Sequence, residues 1–279
     1  MPELPEVETI VQSLIHPDID KKLSIIGRKI TDARVLWEGT LANQTARRFR
    51  RRVKGQCLRL ICRRGKFLVL TLTEDTILIH LRMSGDLRVE NNNDALHAEI
   101  PLHKHDRLML LFANSLRLVF NNPRKFGRVW LLADPKDVLG ELGPEPLDDA
   151  LDECTFHAML MRHKRQLKPL LMDQHFLAGM GNIYTDEALF RSKLHPLARS
   201  NTLSKKQSAF LLESIHAVLT EGIRRNGASI DWVYRGGEFQ NHFNVYGRAD
   251  EPCPLCGTPI ERLLVGQRGT HICPRCQKM

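Results

Sequence analysis

The sequence has no long apolar run, no internal repeat and no low-complexity segment. A membrane-spanning helix requires about 18 consecutive apolar residues, and the most apolar stretch, residues 67–81, is interrupted by Glu74 and Asp75. A positively charged segment followed by an apolar one, the pattern of a secretory signal, is also missing near the start. These absences predict a protein of the cytoplasm that has no membrane partner.

Cysteine is too scarce and too unevenly placed for a disulfide framework. The seven cysteines are an odd number, and four of them lie close together near the C-terminus. This usage is typical of a reducing compartment. The other three, Cys57, Cys62 and Cys154, are expected to be core residues.

Positive charge exceeds negative charge. Forty-one Lys and Arg against 32 Asp and Glu give a formal net charge of +9 and a pI near 9.4. An excess of this size predicts a polyanionic partner, most often nucleic acid. A content of 42% hydrophobic and 26% charged residues excludes general disorder.

The first fifteen residues predict a helix that is anchored in a core. Five apolar side chains form one helical stripe, namely Val7, Ile10, Val11, Leu14 and Ile15. If Met1 is removed, Pro2 becomes the N-terminus and offers a secondary amine. A secondary amine can attack a sugar aldehyde carbon and form an iminium ion, and Glu3 is close enough in sequence to transfer protons. A plain Pro- and Glu-rich helix start is the alternative.

Short strand-like runs follow this helix. Their spacing predicts eight strands in a β-sandwich or flattened barrel, at residues 29–37, 57–62, 67–72, 76–82, 87–90, 107–112, 116–120 and 128–132. Beyond a Pro-rich acidic segment the pattern becomes helical, at residues 155–162, 167–174, 183–193 and 205–226. Ser204 and Gln207 predict a capping box for the last of these helices.

Two Cys-x-x-Cys turns predict a closed zinc site. Their spacing is typical of four thiolates around one tetrahedral ion, and the ligands are Cys253, Cys256, Cys273 and Cys276. The metal would be structural, and Arg268 would lie at the exposed tip of the hairpin between the two pairs. A guanidinium in that position can bind a phosphate.

Three further features fit a nucleic-acid partner. Basic runs occur at residues 47–52, 63–66 and 162–165. Lys66 stands at the start of an apolar strand, where a lysine is held well enough to act in catalysis. The turn of residues 178–182 leads into a helix, and its backbone N–H groups could bind an anion, with Asn182 as a cap and donor.

Two turns contain side chains suited to entering a DNA duplex. Arg124 and Phe126 project from the turn of residues 121–127, and Met83 ends another strand. Apolar bulk can replace a stacked base, and a guanidinium can meet base edges. The alternative is that Met83 and Phe126 are ordinary core residues.

The motifs together resemble the formamidopyrimidine-DNA glycosylase family over essentially the whole chain. They are PELPEVET, RGKFLVL, HLRMSG, NNPRKFG, LGPEPL, LLMDQ with GMGNIYTDEALF, VYGR, and CPLC with QRGTHICPRC. The resemblance implies a base-excision repair enzyme that removes oxidised purines from double-stranded DNA and cleaves the strand as an AP lyase. It also implies a bacterial cytosolic or nucleoid location, a monomer and one structural Zn²⁺.

The resemblance also implies site residues. Pro2 corresponds to the Schiff-base nucleophile, Glu3 to a general acid at the sugar ring oxygen, and Lys66 to a proton donor in β-elimination. Arg268 corresponds to the zinc-finger arginine that binds the phosphate and aids δ-elimination, and Glu6 to an active-site carboxylate. The remaining correspondences are DNA contacts: Met83, Arg124 and Phe126 as the wedge, and His105, His163, Lys168 and Asn182 at the backbone.

The predicted fold class is α+β. We expect an N-terminal helix and eight-stranded β-sandwich at residues 1–141, a linker at 142–150, a helical domain with a helix–two-turn–helix module at 151–240, and a four-Cys zinc-finger β-hairpin at 241–279.

Three positions depart from the family pattern. Asn122 replaces an aspartate that many relatives have, and His163 replaces a lysine or arginine. The segment 229–239 is shorter than the lesion-capping loop of 8-oxoguanine enzymes, and this loop length fits enzymes for either oxidised purines or oxidised pyrimidines. The alternatives are therefore an endonuclease VIII-like enzyme for oxidised pyrimidines and a non-enzymatic zinc-ribbon DNA-binding protein.

Overall fold

The computed structural model describes residues 1–16, 24–91, 102–229 and 236–279. Within these residues the chain forms two compact units. The N-terminal unit contains Met1–Pro2 and Glu6–Gly140, and the C-terminal unit contains Glu3–Pro5, Glu141–Ser229 and Gly236–Met279. No described helix is both long and apolar enough to cross a membrane.

The N-terminal unit is a β-sandwich preceded by a helix. Its elements are α1 (Leu4–Ile15, which begins among the residues of the other unit), β1 (Ile30–Val35), α2 (Ala46–Val53), β2 (Leu60–Arg64), β3 (Phe67–Thr71), β4 (Thr76–His80), β5 (Asp86–Asn91), β6 (Asp106–Phe112), β7 (Leu116–Asn121), β8 (Arg128–Leu132) and α3 (Lys136–Leu139). One sheet has the order β1-β6-β7-β5 and the other has β2-β3-β4-β8. Every neighbouring pair is antiparallel.

Alternation of apolar residues explains why these strands form a sandwich. Leu68 and Leu70 on β3, with Ile77 and Ile79 on β4, are fully buried in one cluster. The first sheet adds its own alternate residues to the same cluster, as do the apolar residues of α1 from Val7 to Leu14. Side chains at every second strand position point to one face. The predicted helix stripe and the eight predicted strands are confirmed.

Helix α2 is absent from the sequence predictions. Its only buried residues are Phe49 and Val53, one turn apart, and arginines occupy most of its surface. The side chain of Thr45 caps it by accepting a hydrogen bond from the backbone N–H of Arg48. The cap was the one local signal of a helix here, because two apolar positions are too few to establish a helical period.

The C-terminal unit is helical and ends in a β-hairpin. Its elements are α4 (Glu153–Met161), α5 (Leu167–Leu171), α6 (Asn182–Arg191), α7 (Lys205–Arg224), β9 (Glu261–Val265) and β10 (Arg268–Ile272). The predicted capping box is confirmed, since the Ser204 and Gln207 side chains both bond to the backbone at the start of α7. The hairpin turn consists of Gly266 and Gln267, both with positive φ of 55° and 61°, as in a type I′ turn.

Candidate functional site

The chain terminus is fixed by hydrogen bonds within the C-terminal unit. The backbone N–H of Leu4 donates to the carbonyl of Gly179 over 3.1 Å. Oε1 of Glu3 accepts from the backbone N–H of Ile183 over 3.1 Å. Pro2 is buried and Met1 is exposed. The terminus is therefore held in place, as its sequence predicts.

The predicted anion site at the start of α6 is occupied by the chain itself. The Glu3 carboxylate lies at this helix N-terminus, where the helix dipole favours negative charge. A Cβ atom on Gly181 would stand 2.2 Å from Cδ of Glu3, so only glycine leaves room for the carboxylate. Asn182 is not the cap: Gly181 holds that position, without a side-chain bond.

Lys66 lies in the two-residue turn between β2 and β3. Gly65 precedes it with a positive φ of 56°, which fits the first position of a type II′ turn. Arg63 bridges this turn to α1, because its Nε donates to Oε2 of Glu8 over 3.0 Å and its NH1 group donates to the carbonyl of Gly65 over 3.3 Å. Lys66 is buried, as is Glu6 on α1.

Strand register brings the predicted site residues of the N-terminal unit to one end of the sandwich. Phe67, His80 and Arg128 are paired neighbours in one sheet, and Asp86, Asn121 and Asp106 are paired neighbours in the other. The turns at this end contain Lys66 before β3, Met83 between β4 and β5, His105 before β6, and Arg124 with Phe126 between β7 and β8.

The two turns with the predicted wedge residues are bonded to each other. The backbone N–H of Arg124 donates to Oγ of Ser84 over 3.2 Å, and Nδ2 of Asn122 donates to the carbonyl of Leu81 over 3.4 Å. Met83 is 42% exposed and Phe126 is 51% exposed. The core interpretation of these two residues is therefore wrong, and the wedge remains a prediction.

The Arg124 guanidinium lies over the Phe126 ring, 5.2 Å from its centre. His105 stands beside the same turn, and its carbonyl accepts a hydrogen bond from the backbone N–H of Asn122. The Asn122 amide supplies the donor to Leu81 that an aspartate in its place would lack. The departure from the family pattern at Asn122 thus supports the turn.

The four predicted zinc ligands converge. Their Sγ atoms all lie within 4.8 Å of one another. Three of the separations are 4.0 Å (Cys253 to Cys276), 3.5 Å (Cys256 to Cys273) and 3.6 Å (Cys256 to Cys276). Four sulfurs at about 2.3 Å from a tetrahedral zinc ion would be about 3.8 Å apart. The site thus fits one zinc ion with all four positions filled by protein.

Arg268 is the first residue of β10 and is exposed beside the hairpin turn, as its sequence predicts. The next residue, Gly269, is bonded to two of the three other backbone-contact candidates of this unit. Its carbonyl accepts from Nζ of Lys168 over 3.0 Å and from Nδ2 of Asn182 over 3.1 Å. Arg268, Lys168 and Asn182 therefore form one group.

Among the described residues, no hydrogen bond or ring contact joins His163 to this group. Its ring packs edge-on against Phe176 at 5.4 Å, and its carbonyl accepts a hydrogen bond from Ser200. These contacts are structural.

The segment 229–239, which the sequence predicts to be a short lesion-capping loop, lies mostly outside the described residues, since 230–235 are not described.

The cysteines outside the zinc site differ in burial. Cys62 packs against a small apolar cluster on the second sheet, and Cys57 is partly buried. The core prediction is wrong for Cys154, which is exposed in the first turn of α4. Cys154 is the second residue of α4, and an exposed position in a first helical turn needs no apolar partner.

Three known domains match consecutive parts of the chain. Residues 1–129 match the formamidopyrimidine-DNA glycosylase N-terminal domain, residues 142–233 the formamidopyrimidine-DNA glycosylase H2TH domain, and residues 250–278 a zinc finger found in FPG and IleRS. The formamidopyrimidine-DNA glycosylases of Protochlamydia amoebophila and Geobacillus kaustophilus are 41% and 39% identical to the chain, with full coverage of both sequences in each comparison.

The chain belongs to the formamidopyrimidine-DNA glycosylase family.

Solved structures agree with this membership. A variant of Lactococcus lactis FPG in complex with DNA that contains Fapy-dG has a TM-score of 0.87 and 33% identity, with 100% of both chains covered. MutM in complex with DNA that contains carbocyclic 8-oxo-G has a TM-score of 0.86 at the same identity and coverage. The zinc-finger match and the geometry of the four cysteines establish one structural zinc ion as the cofactor.

Sequence reasoning missed the residues that hold the site residues in place. Gly181 makes room for Glu3, Ser84 braces the Met83 turn, and Asp186 pairs with Lys168. Each partner is distant in the sequence, so no local spacing could identify it. The one usable signal is the Gly-Met-Gly sequence before α6. It predicts an anion at this helix start, and the anion is the Glu3 carboxylate of the chain itself.

Proposed function

We propose that this chain removes oxidised purines from duplex DNA with Pro2 as its nucleophile. As a member of its family it is a DNA glycosylase with AP lyase activity that acts in base-excision repair. The observation that most supports the mechanism is the anchored terminus, in which Glu3 is bonded to α6 and Pro2 is buried next to it in the chain.

The chemistry begins with removal of Met1, which leaves a secondary amine on Pro2. That amine attacks C1′ of the damaged nucleotide, the base leaves, and an iminium ion forms. The iminium acidifies the C2′ proton, so loss of the 3′ phosphate and then of the 5′ phosphate becomes feasible. The expected product is a one-nucleotide gap with phosphates at both ends.

Three side chains have roles in these steps. Glu3 protonates the sugar ring oxygen as the ring opens, and its carboxylate is held by the backbone of α6. Lys66 donates a proton during β-elimination from a turn that Arg63 ties to α1. Arg268 binds the phosphate next to the lesion from the exposed start of β10.

The damaged nucleotide must leave the base stack before Pro2 can reach it. Unstacking and unpairing cost a few kcal/mol. Met83, Arg124 and Phe126 offset this cost by filling the gap, and their two turns are bonded to each other. His105, Lys168 and Asn182 belong to the surfaces that hold the DNA backbone, and the nine excess positive charges favour binding of this polyanion.

DNA with oxidised bases or abasic sites is the partner, in line with structural relatives that hold Fapy-dG, 8-oxo-G and abasic DNA. We further propose a bacterial cytosolic location, because the named relatives are bacterial. The domain boundaries at residues 141, 150 and 240 remain predictions.

Borohydride trapping tests the nucleophile. Reduction of the iminium should link the protein covalently to lesion-containing duplex DNA, and the modified peptide should begin at Pro2. The Pro2→Gly variant replaces the secondary amine with a primary amine, so weaker trapping is expected. An N-terminal extension should abolish trapping. Trapping at full yield in the extended protein, or at a lysine in the wild type, would refute the assignment.

A panel of lesions tests the substrate class. Duplexes with formamidopyrimidine or 8-oxoguanine opposite cytosine should be cleaved faster than a duplex with thymine glycol. Preferential cleavage of thymine glycol would instead identify an endonuclease VIII-like specificity. Binding without any strand cleavage would identify a non-enzymatic DNA-binding protein.

A further inference from the structure

A buried ion pair lies behind the strand that begins with Arg268. Nζ of Lys168 on α5 stands 2.6 Å from Oδ1 of Asp186 on α6, and both side chains are fully buried. The other oxygen of Asp186 accepts from the backbone N–H of His271 over 3.0 Å. Charged residues are rarely buried so completely unless they are paired. No role assigned so far uses Asp186.

Lys168 has no N–H left for a phosphate in this arrangement. An ammonium group has three donors, and Lys168 directs them to Asp186, the carbonyl of Gly269 over 3.0 Å and Oγ1 of Thr270 over 2.8 Å. Burial lowers the pKa of Lys168, whereas the charges of Asp186 and Glu3 act in the opposite direction. Asp186 thus helps to keep the buried ammonium charged.

The same network fixes the backbone on the C-terminal side of Arg268. Asn182 donates a second hydrogen bond to the carbonyl of Gly269. The hydroxyl of Thr270 donates to the carbonyl of Arg268 over 3.0 Å. Three successive residues of β10 are therefore bonded to side chains of α5 and α6, while the Arg268 side chain itself is exposed.

We propose that Asp186 is a positioning residue for Arg268: it holds Lys168, and Lys168 fixes the start of β10 so that the guanidinium points at the phosphate. This inference rests on the proposed role of Arg268. Lys168 then acts on DNA through β10, and the direct contact implied by the family resemblance is replaced by an indirect one.

Stability is a weak explanation for the ion pair. Two buried charges lose much of their hydration, and their attraction often only balances that loss, so an apolar pair of similar volume can be at least as stable. What the ion pair adds is a fixed orientation of the start of β10, and so of the Arg268 guanidinium toward the phosphate. An arginine displaced by about 1 Å can slow a reaction by roughly a hundredfold.

The test uses the zinc-bound enzyme and a duplex with a preformed abasic site. Asp186→Asn should slow δ-elimination roughly tenfold, seen as accumulation of the β-elimination product, while borohydride trapping at Pro2 stays within about twofold of the wild type. The matched control is Asp173→Asn. Asp173 is a carboxylate of the same unit that pairs with Arg165, and its loss should leave the product ratio unchanged.

A second variant separates positioning from folding. In Lys168→Met/Asp186→Asn neither of these two buried positions is charged, so its melting temperature should recover relative to Asp186→Asn. Its product ratio should stay abnormal, because the bond from Lys168 to the carbonyl of Gly269 is absent. Recovery of both the melting temperature and the product ratio would overturn the inference.

A double-mutant cycle identifies the residue through which Asp186 acts. In an Arg268→Gln background, Asp186→Asn should cause no further change in δ-elimination, since both changes remove one effect. If the two substitutions together slowed δ-elimination by the product of their separate effects, Asp186 would act independently of Arg268, and the proposal would be refuted. A wild type that neither traps nor cleaves would refute the proposed function instead, whereas normal cleavage with an unchanged ratio in Asp186→Asn would refute only the positioning role.

Discussion

At the scale of single residues, Gly181 leaves the space that Glu3 occupies. Its φ is negative, so alanine would be tolerated by the backbone, but the added Cβ would stand 2.2 to 2.5 Å from the carboxylate atoms of Glu3. Gly181→Ala should therefore displace this carboxylate. We expect excision of 8-oxoguanine to fall roughly tenfold to a hundredfold in single-turnover assays.

The same variant contains its own control. A preformed abasic site already exists partly as an open aldehyde, so its cleavage depends less on an acid at the ring oxygen. Gly181→Ala should retain most of this lyase activity and its zinc content. Equal loss of excision and abasic-site cleavage would contradict a specific effect on Glu3.

His80 predicts a pH dependence of stability. Burial, together with the charges of Arg82 and Lys66, lowers the pKa of His80 to about 3. The neutral ring also accepts a hydrogen bond at Nδ1 from the backbone N–H of Arg82. Below pH 6.5 the unfolded chain takes up a proton at this position, whereas the folded chain does so only near pH 3.

The free energy of unfolding should thus decrease as the pH falls through this window, by up to about 1.4 kcal/mol per pH unit. Above pH 6.5 His80 contributes no such dependence. Urea unfolding should be measured for the wild type and His80→Asn between pH 8 and pH 4. The free energies of unfolding of the two proteins should approach each other as the pH falls. The exposed His103→Asn is the control, and parallel curves for His80→Asn and wild type would disprove the argument.

At the scale of elements, the turns that contain the predicted wedge residues could be predicted from the sequence, but the hydrogen bonds between these turns could not. The eight strands follow from alternating apolar residues, and register then fixes which turns share an end. Helix α2 was missed because arginines obscure its two apolar positions. Ser84 and Asn122 join turns forty residues apart in the sequence, a distance over which a single sequence contains no spacing signal.

Exposure of Met83 allows the wedge to be tested apart from stability. Met83→Ala should leave the melting temperature nearly unchanged, because the side chain is 42% exposed. Excision from duplex DNA should fall roughly tenfold, since the wedge offsets unstacking worth a few kcal/mol. The control is Leu60→Ala, a 52% exposed apolar residue at the opposite end of its sheet. Equal effects of both variants would refute a specific wedge.

At the scale of the whole molecule, each unit has its own apolar core. The N-terminal unit has a large cluster drawn from α1 and both sheets. In the C-terminal unit, the apolar cluster around the zinc ligands is small: Cys253 and Cys273 pack there with Phe190, Val245 and Ile260. The zinc-binding pattern was readable from sequence because its ligands are local pairs, but the smallness of this core was not.

This difference predicts what removal of zinc does. A two-stranded hairpin is marginal in water by itself, and in the described part of the chain the side chains of α5 and α6 bond only to Gly269, Thr270 and His271 of β10. We therefore expect the metal to supply much of the order of β9 and β10. Chelation should release one zinc ion per chain and increase hydrogen exchange in β9 and β10. Exchange in β3 and β4 should stay unchanged, because their core contains no ligand of the metal. DNA affinity should fall as Arg268 loses its fixed backbone.

Hydrogen exchange followed by mass spectrometry, with zinc counted by elemental analysis, measures both effects. Cys273→Ser should reproduce the effect of chelation, whereas Cys57→Ser, which lies outside the metal site, should behave as wild type. If β9 and β10 kept their protection after complete loss of zinc, the hairpin would be stable without the metal. The zinc ion would then have to act on DNA binding by some route other than holding Arg268 in place.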